Sequence, residues 1–299
     1  MKKINLVFVF LFCNYILYSQ NVYFNNGYTF GNRAAVFSNV AAVEDTFLVT
    51  GVFVDTLQYQ YSMITKFNNF GTPINQYKNK RITDVYTTIR NTMSHYSNND
   101  YIVLSAKGDS SIVFILNKDS VVRSIAVSKS YNQKNYISNY LIKTPENGFL
   151  LGGEVLTPNT SNYKTFLIKL DSLGNFIWRK EYGNNINCNM IRSLSLDNDG
   201  GYLIGGGVGN LYSYNNVNEM PVCQATIFKT DTAGTVLWQW QDTAHFCSMQ
   251  AFGLQPTDDN GYIYTNWQAT RIDTNGFGSV SQYYYAGRYF ITKLNSNRN

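Results

Sequence analysis

Short apolar or alternating segments, separated by tight turns, recur along the whole chain and predict strands rather than helices. Typical segments are GFLLGG at 148–153 and TFLIKLD at 165–171. The chain holds 24 Tyr and 19 Phe, and aromatic and β-branched residues favour strands, whereas Asn, Asp and Gly favour tight turns. Few stretches have the composition of a good helix. The pattern predicts an all-β fold, and 299 residues fit one repetitive β domain.

One pattern recurs five times. Residues 166–183 (FLIKLDSLGNFIWRKEYG) align without gaps with residues 226–242 (TIFKTDTAGTVLWQWQD). Weaker copies begin at Met63, Ile112 and Phe290. Each copy follows a turn and an apolar strand with an aromatic anchor, and the anchors recur about every 50–60 residues, a period typical of propeller repeats. These anchors are Phe47, Tyr101, Phe149, Tyr202 and Tyr262.

Each repeat is predicted to contain four antiparallel strands, which we name a, b, c and d in chain order. Tight turns join a to b and c to d, as in PENG and DSLGN of the third repeat. Such a unit cannot bury both of its faces alone, so radial stacking into a β-propeller is expected. Trp178 and Trp238 are expected to pack between blades. The remaining structural positions of the pattern are Asp171, Asp231, Gly174 and Gly234.

The K-h-D-x-x-G-x-x-x-W pattern resembles the blades of secreted propellers that are common in type IX-secreting bacteria. It is also similar to the quinoprotein-type repeat, in which an Asp, a Gly turn and a Trp close each blade. The resemblance covers residues 22–299 and is clearest in the third and fourth repeats. In the second repeat Ser120 replaces the Gly, and the Trp is missing. The resemblance implies a secreted propeller and does not imply quinone chemistry, and the absence of a visible C-terminal sorting domain leaves the export route open.

The first twenty residues are predicted to be a signal peptide. Lys2 and Lys3 precede the apolar run LVFVFLF at 6–12, and Ser19 suits cleavage. The alternative is a membrane anchor, but the uninterrupted run is short for a bilayer and no later segment could span one. We therefore expect residues 21–299 to form a propeller that is secreted or held on the outer cell surface, with the periplasm as an alternative.

The two ends of the predicted propeller are incomplete in a complementary way. The fifth repeat reaches Asn299 without a d strand, whereas residues 21–32 (NVYFNNGYTFGN) resemble a d strand that has no a, b and c strands of its own. Pairing these ends would close a five-bladed ring and leave no exposed edge. The alternative is a truncated chain whose further blades are missing.

Charge and cysteine content exclude two classes of protein. The formal net charge is +5, and removal of Lys2 and Lys3 leaves 22 basic against 19 acidic residues, or +3. This charge is small and scattered, so no nucleic-acid partner is predicted. The expected mature chain is not a disulfide scaffold, because three cysteines allow at most one internal bridge. They are Cys188, Cys223 and Cys247, and their pairing is left open.

The candidate binding residues lie in long links that the repeat pattern places on one face of the propeller. These links are residues 153–164, 207–222 and 267–288. Aromatic rings on a rigid scaffold can stack on sugars or anchor a protein, although the links could also merely cover the blades. The predicted function is a non-catalytic binding module for a glycan or a protein. The candidate binding residues are Tyr212, Tyr214, Trp267, Arg271, Tyr283, Tyr284 and Tyr285.

No catalytic, metal or cofactor site is predicted. His95 and His245 are far apart in the repeat register, and the acidic runs at 197–201 and 257–261 fit hairpin turns better than calcium loops. Glu is scarce and scattered, so paired carboxylates of a glycosidase are not evident. The alternatives are an extracellular polysaccharide hydrolase or lyase with a site in the central channel, and a structural module of a larger adhesin.

Overall fold

The computed structural model describes most of the predicted propeller. The described residues form strands and turns without any helix, which confirms the all-β prediction. They are 34–43, 45–54, 60–78, 93–97, 100–107, 110–117, 120–156, 163–184, 188–210, 222–242, 251–277 and 280–298. The predicted signal peptide and residues 21–32 lie outside them.

Five separate antiparallel sheets follow one another along the chain, and we name them blades 1 to 5. Blade 1 contains β1 (Ala34–Val43), β2 (Thr46–Val54), β3 (Gln60–Asn68) and β4 (Pro73–Lys78). Blade 2 contains β5 (Met93–Ser97), β6 (Asp100–Lys107), β7 (Ser110–Asn117) and β8 (Ser120–Ser128). In both blades neighbouring strands are consecutive in the chain, as predicted for strands a to d.

The remaining blades follow the same order with two variations. Blade 3 begins with the two-residue strand β9 (Ser130–Tyr131), followed by β10 (Lys134–Lys143), β11 (Phe149–Leu156), β12 (Tyr163–Leu170) and β13 (Phe176–Tyr182). Blade 4 contains β14 (Cys188–Leu196), β15 (Tyr202–Asn210), β16 (Val222–Thr230) and β17 (Val236–Gln241). Blade 5 has three described strands, β18 (Phe252–Pro256), β19 (Tyr262–Phe277) and β20 (Val280–Leu294).

In blades 2, 3 and 4, adjacent residues of the b strand belong to two different apolar cores, and this joins the blades. In blade 3, Phe149 packs into a core shared with Ile102 of blade 2, and Leu150 packs into a core shared with Tyr202 of blade 4. In blade 4 the next residue, Leu203, belongs to a core shared with blade 5. Successive side chains of a strand point to opposite faces of its sheet, so the sheets of blades 2, 3 and 4 bury both faces against their neighbours. Among the described residues, blade 1 shares a core with blade 2 and blade 5 shares one with blade 4. The five sheets therefore adopt the predicted five-blade propeller arrangement.

The Asp and Gly of the repeat pattern form the turn between strands c and d. The Asp171 carboxylate oxygen Oδ1 accepts hydrogen bonds from the backbone N–H groups of Leu173 and Asn175, both at 2.8 Å. Gly174 has a φ of +83°, which favours glycine. Asp231 and Gly234 repeat this arrangement, with a 2.7 Å bond to the backbone of Thr235 and a φ of +77° at Gly234.

The Lys of the pattern joins strand c to the a–b turn of its own blade. Lys169 lies 3.3 Å from the Glu146 carboxylate. In blade 4 the ammonium group of Lys229 lies 2.5 Å from both Asp197 and Asp199. In blade 5 the corresponding pair is Lys293 and Asp259. These pairs give the recurring Lys a structural role that the sequence pattern alone did not assign.

The two Trp residues of the pattern lie between blades. The Trp178 ring lies against the Tyr202 ring of the next blade, with centroids 6.5 Å apart, and Trp238 packs in the same way on Tyr262 at 5.3 Å. A Cβ atom at Gly234 would approach the Trp178 ring to 2.9 Å, so the c–d turn of blade 4 rests directly on that ring. Strand d of one blade therefore supports both strand b and the c–d turn of the next.

Candidate functional site

Residues 267–288 continue the b and c strands of blade 5 as a long hairpin, whereas the repeat pattern predicts a long link between the two strands. Strands β19 and β20 contain 16 and 15 residues and stay paired up to Phe277 and Val280. The b strand of blade 4 has nine residues, so β19 is seven residues longer than that strand. The hairpin therefore extends about 20 Å beyond the length of an ordinary blade strand. Its Tyr, Thr, Ile and Val content explains why the backbone remains extended.

The hairpin register places three of the candidate residues on one face of the ladder. Trp267 lies opposite Tyr289, Ile272 lies opposite Tyr285 and Thr274 lies opposite Tyr283. Positions 283, 285 and 289 are separated by even numbers of residues in one strand, and paired positions share a face. Positions 267, 283, 285 and 289 are therefore on the same face of the ladder, with the pair Ala269–Gly287 between positions 289 and 285. We name these four positions the aromatic hairpin face.

The other candidate residues of the hairpin are on the opposite face. Arg271 pairs with Ala286 and Asp273 pairs with Tyr284. The register shifts between Ala269 and Arg271, so positions 271 and 273 are on the opposite face from positions 267 and 269. Tyr212 and Tyr214 lie outside the described residues. The predicted set is thus divided, because Trp267, Tyr283 and Tyr285 occupy the aromatic hairpin face, whereas Arg271 and Tyr284 do not.

Tyr289 also belongs to the aromatic hairpin face, although it is not among the residues that the sequence pattern predicts. Its side chain is 84% exposed. It was missed because the predicted link ended at residue 288. An alternating reading of QYYYAGRY at 282–289 places positions 283, 285, 287 and 289 on one face, and this signal could have identified Tyr289.

Cys188 begins strand a of blade 4, and Cys223 is the second residue of strand c, close to the strand starts that the sequence indicates. Both pair with Gly209 of the intervening strand, from opposite sides. Their Cα atoms are thus two strand spacings apart, about 9–10 Å, which exceeds the range that a disulfide can bridge without backbone movement. Cys247 lies outside the described residues, so its pairing stays untested.

A central cavity of about 570 Å³ lies where the inner strands of blades 2 to 5 reach their a–b turns. Its charged lining residue among those described is Lys143, whose ammonium group donates a 2.5 Å hydrogen bond to the Tyr96 carbonyl oxygen. The described lining contains no Asp or Glu side chain, although a glycosidase uses two carboxyl groups. Polar lining groups come from Ser94, Thr144, Ser195 and Gln255.

A second cavity, of about 270 Å³, lies between blades 3 and 4. Tyr182 and Phe228 line it with their rings 5.1 Å apart, and Asn189 and Thr226 add polar groups. The Tyr182 hydroxyl donates a 2.8 Å hydrogen bond to the Gly234 carbonyl oxygen, so this ring is held in place by the next blade. The cavity is smaller than the usual 300–1,000 Å³ of a drug-sized ligand pocket.

Glu181 is the centre of a charged cluster on blade 3. Lys134 donates hydrogen bonds to both carboxylate oxygens at 2.9 Å, the Tyr136 hydroxyl donates to Oε1 at 2.6 Å, and Lys164 lies 4.0 Å from Oε2. Burial alone would raise the pKa of Glu181, but the bonds from Lys134 and Tyr136 outweigh it and lower the pKa below its usual value. Burial and the bond to Glu181 raise the pKa of the Tyr136 hydroxyl.

This cluster predicts a pH-dependent contribution to stability. Glu181→Gln should lower the free energy of unfolding by about 1–2 kcal/mol at pH 7, because hydrogen bonds to a charged group are lost. A lowered folded-state pKa stabilises the protein above the unfolded value of about 4.3, and this contribution is lost as the pH falls through the folded-state pKa. Urea unfolding should therefore show the difference between wild type and variant shrinking from pH 7 to pH 3.

The control is Glu146→Gln, since the Glu146 side chain is 55% exposed and should contribute less than Glu181. A difference between wild type and Glu181→Gln that stays constant over this pH range would contradict the role of the Glu181 carboxylate.

Within the described segments, no group of three His, Cys, Asp or Glu side chains is arranged to hold a metal ion. In the same segments, no helix is long and apolar enough to cross a membrane.

Five antiparallel sheets, each sharing a core with the next, define a β-propeller, and four of them line the central cavity. No family model and no curated protein matches the chain. It is similar to a solved structure of a protein of unknown function from Bacteroides caccae, at 9% identity and a TM-score of 0.33, over 79% of this chain and 87% of that one.

Two further solved structures are similar to the chain. The β-propeller domain of the Trilobed protease from Pyrococcus furiosus has 9% identity and a TM-score of 0.43, over 88% of this chain and 69% of that one. A glycoside hydrolase has 7% identity and a TM-score of 0.33, over 86% of each chain. At these TM-scores, the similarities carry no argument about function, and the class follows from the sheets of this chain.

Proposed function

We propose that the protein is a non-catalytic binding module of the cell exterior that recognises a carbohydrate chain through the aromatic hairpin face. The observation that carries the proposal is the register of β19 and β20, which places Trp267, Tyr283, Tyr285 and Tyr289 on one face of a hairpin longer than the other blade strands. The N-terminal signal pattern is the basis for the expected location outside the cytoplasm.

Aromatic residues in this spacing suit the repeating units of a polysaccharide. Aromatic side chains offer flat apolar surfaces together with the hydroxyl and N–H groups of Tyr and Trp, and sugar rings present apolar faces with polar edges. Alternate positions along a strand are about 7 Å apart, so Tyr283 and Tyr285 can contact neighbouring parts of an extended ligand.

The paired backbone of the hairpin favours binding for an entropic reason. Binding residues on a disordered loop lose conformational freedom when a ligand orders them, and this loss weakens the affinity. Strands β19 and β20 are already joined by a ladder that runs to the pair Phe277–Val280, so the aromatic positions are held in a fixed order before a ligand arrives. A protein ligand is the alternative, because Tyr and Trp also anchor protein partners.

The test compares two neighbouring tyrosines on opposite faces of the hairpin. Tyr285→Ala should weaken binding to a polysaccharide identified on a glycan array by about tenfold or more, since loss of one aromatic contact costs about 1.5–3 kcal/mol. Tyr284→Ala is the matched control and should change the dissociation constant less than threefold. Calorimetry with residues 21–299 measures both values.

Other outcomes would contradict the proposal. Equal losses from Tyr284→Ala and Tyr285→Ala would refute the aromatic hairpin face as the binding surface. Binding to proteins without any glycan would favour the protein alternative. Release of reducing ends from a polysaccharide would instead favour the hydrolase alternative with a site in the central channel.

A further inference from the structure

Large side chains of blade 3 fill the space between blades 2 and 3. Phe166 of strand c pairs with Gly153, and Tyr136 of strand a pairs with Val155. Their rings pack edge to face with centroids 5.1 Å apart, and the two residues are 0% and 2% exposed. The Arg179 guanidinium of strand d lies 4.4 Å from the Tyr136 ring centroid and completes the filling.

The same three positions of blade 4 hold smaller polar side chains and line the cavity of about 270 Å³ between blades 3 and 4, which we name the interblade cavity. Thr226 pairs with Gly206, Asn189 pairs with Val208, and Gln239 is at the position of the blade 3 arginine. Thr226 is the polar exception among the five described c strands. The other residues at its position are Met63, Ile112, Phe166 and Phe290.

One wall of the interblade cavity is aromatic. Tyr182 of blade 3 and Phe228 of blade 4 line it, with their ring planes tilted by 42°. Blade 3 has Ile168 at the position of Phe228, so this ring pair is not repeated between blades 2 and 3. An aromatic wall opposite polar groups suits a ligand that has an apolar face and polar edges.

Polar groups from both blades surround the interblade cavity. The Asn189 side chain lies against the backbone of Gly183, because a Cβ atom on that glycine would overlap the Asn189 amide. The Thr165 hydroxyl donates a 3.2 Å hydrogen bond to the Asn189 carbonyl oxygen, and the Thr226 hydroxyl donates to the Gln224 carbonyl oxygen at 3.3 Å. A hydroxyl that donates its proton can still accept a hydrogen bond from a ligand.

The described lining of the interblade cavity offers no charged side chain to a ligand. It contains no Lys, Arg, His or Asp, and its one acidic residue is Glu181, whose carboxylate is bound by Lys134 and Tyr136. Glu181 and Tyr182 are consecutive in β13, so their side chains point to opposite faces of blade 3. Burial raises the pKa of the Tyr182 hydroxyl, which is therefore neutral. An uncharged ligand fits this lining better than an ion, whose burial would be costly without a partner of opposite charge.

We propose that the interblade cavity binds a single neutral sugar unit. The aromatic wall offers a surface for the apolar face of the sugar ring, and Asn189, Thr226 and Gln239 offer hydrogen-bonding groups to its hydroxyls. The cavity volume equals that of about nine water molecules, which limits the ligand to about one sugar ring. The aromatic hairpin face belongs to blade 5, so the two sites are separate and either can exist without the other.

Thr226→Phe tests the proposal in the full chain, because it restores the ring that blade 3 has at this position. The probes are the methyl glycosides of glucose, galactose, mannose and N-acetylglucosamine, titrated by saturation-transfer NMR. At least one of them should bind the wild-type protein, and Thr226→Phe should weaken that binding at least tenfold by filling the cavity. Thr226→Val keeps the space and removes one hydroxyl, so it should weaken binding less than fivefold.

Two glutamines of β17 give a matched comparison that does not change the packing of the blades. Gln239 lines the interblade cavity and is exposed, whereas Gln241 lies two residues later on the same face and does not line it. Gln239→Ala should weaken binding of the methyl glycoside at least threefold, and Gln241→Ala should change it less than twofold. This pair decides the question even where Thr226→Phe lowers the stability of the protein.

Four results would overturn the proposal. They are the absence of binding by all four methyl glycosides, equal binding to wild type and Thr226→Phe, equal losses from the two glutamine variants, and loss of binding in Tyr285→Ala. The last result would place the sugar on the aromatic hairpin face, and it would support the proposed function while removing the interblade site.

Discussion

Replacing Lys229 with Met should lower the free energy of unfolding by about 3–5 kcal/mol, because the substitution leaves a buried carboxylate without its cation. The side chains of Lys229 and Asp197 are 10% and 7% exposed, and their charged groups lie 2.5 Å apart. The Asp197 carboxylate also accepts a hydrogen bond from the Tyr262 hydroxyl at 3.4 Å, so the pair lies at the contact between blades 4 and 5. Urea unfolding of residues 21–299 at pH 7 measures the effect.

The titration behaviour of this cluster agrees with its geometry. Burial alone would lower the pKa of Lys229, but hydrogen bonds to Asp197 and Asp199 outweigh burial and raise it. The bond from Lys229 lowers the pKa of Asp199. Lys229 and Asp199 are therefore charged at neutral pH, and the loss of Lys229 leaves the side chains of Asp197 and Asp199 without the ammonium group that lies 2.5 Å from both.

Lys293 of blade 5 is a matched control at the same repeat position. Its partner is Asp259, and the two side chains are 51% and 58% exposed, so Lys293→Met should cost less than about 1 kcal/mol. The double variant Lys229→Met with Asp197→Asn should recover part of the stability lost in the single variant. Equal losses at positions 229 and 293 would show that burial does not determine the contribution of this Lys.

The fold was predictable because its determinants are local and repeated. Strand b of each blade has adjacent apolar residues, such as Phe149 and Leu150, and a strand that buries both faces needs this pattern. The Asp of the c–d turn accepts hydrogen bonds from backbone N–H groups two and four residues later, and the Gly lies between these two donors. All of these contacts fall within five consecutive residues, so the turn recurs as a visible motif. Five sheets in chain order follow from these two features.

The partners of the recurring Lys could not be predicted from the pattern. Lys169 pairs with Glu146, 23 residues earlier, whereas Lys229 pairs with Asp197 and Asp199, and the acidic position shifts within the a–b turn. The spacing is not constant, so no motif identifies the pair. The lining of the central cavity could not be predicted for a similar reason, because it combines residues of four blades that are distant in the chain.

The candidate site was predicted only in part, for a reason of register. A run of three tyrosines, 283–285, indicates an aromatic surface, but the face of each residue depends on strand pairing. The irregularity at Thr270 shifts β19 by one residue against β20, and this shift decides that Trp267 and Arg271 belong to opposite faces. Such a shift is not evident in the sequence.

Gly206→Ala should destabilise the propeller by about 3 kcal/mol or more, because the added methyl group has no space between the two inner strands of blade 4. A Cβ atom at Gly206 would overlap the backbone carbonyl oxygen of Met190. The register of β14 and β15 shifts between Ile191 and Ser193, next to this contact. A clash with backbone atoms cannot be relieved by a change of rotamer, so the strands must separate or the blade must lose pairing.

Blade 3 repeats this close approach, since a Cβ atom at Gly153 would overlap the carbonyl oxygen of Ile137. Gly153→Ala should therefore have a similar effect. Val208→Ala, on the same strand as Gly206, is the control and should cost about 1 kcal/mol, because it removes methyl groups from a half-buried side chain. Urea unfolding measures all three variants. Wild-type stability of Gly206→Ala would mean that the inner strands can separate freely, and the close approach of strands a and b would then not be a requirement of the blade.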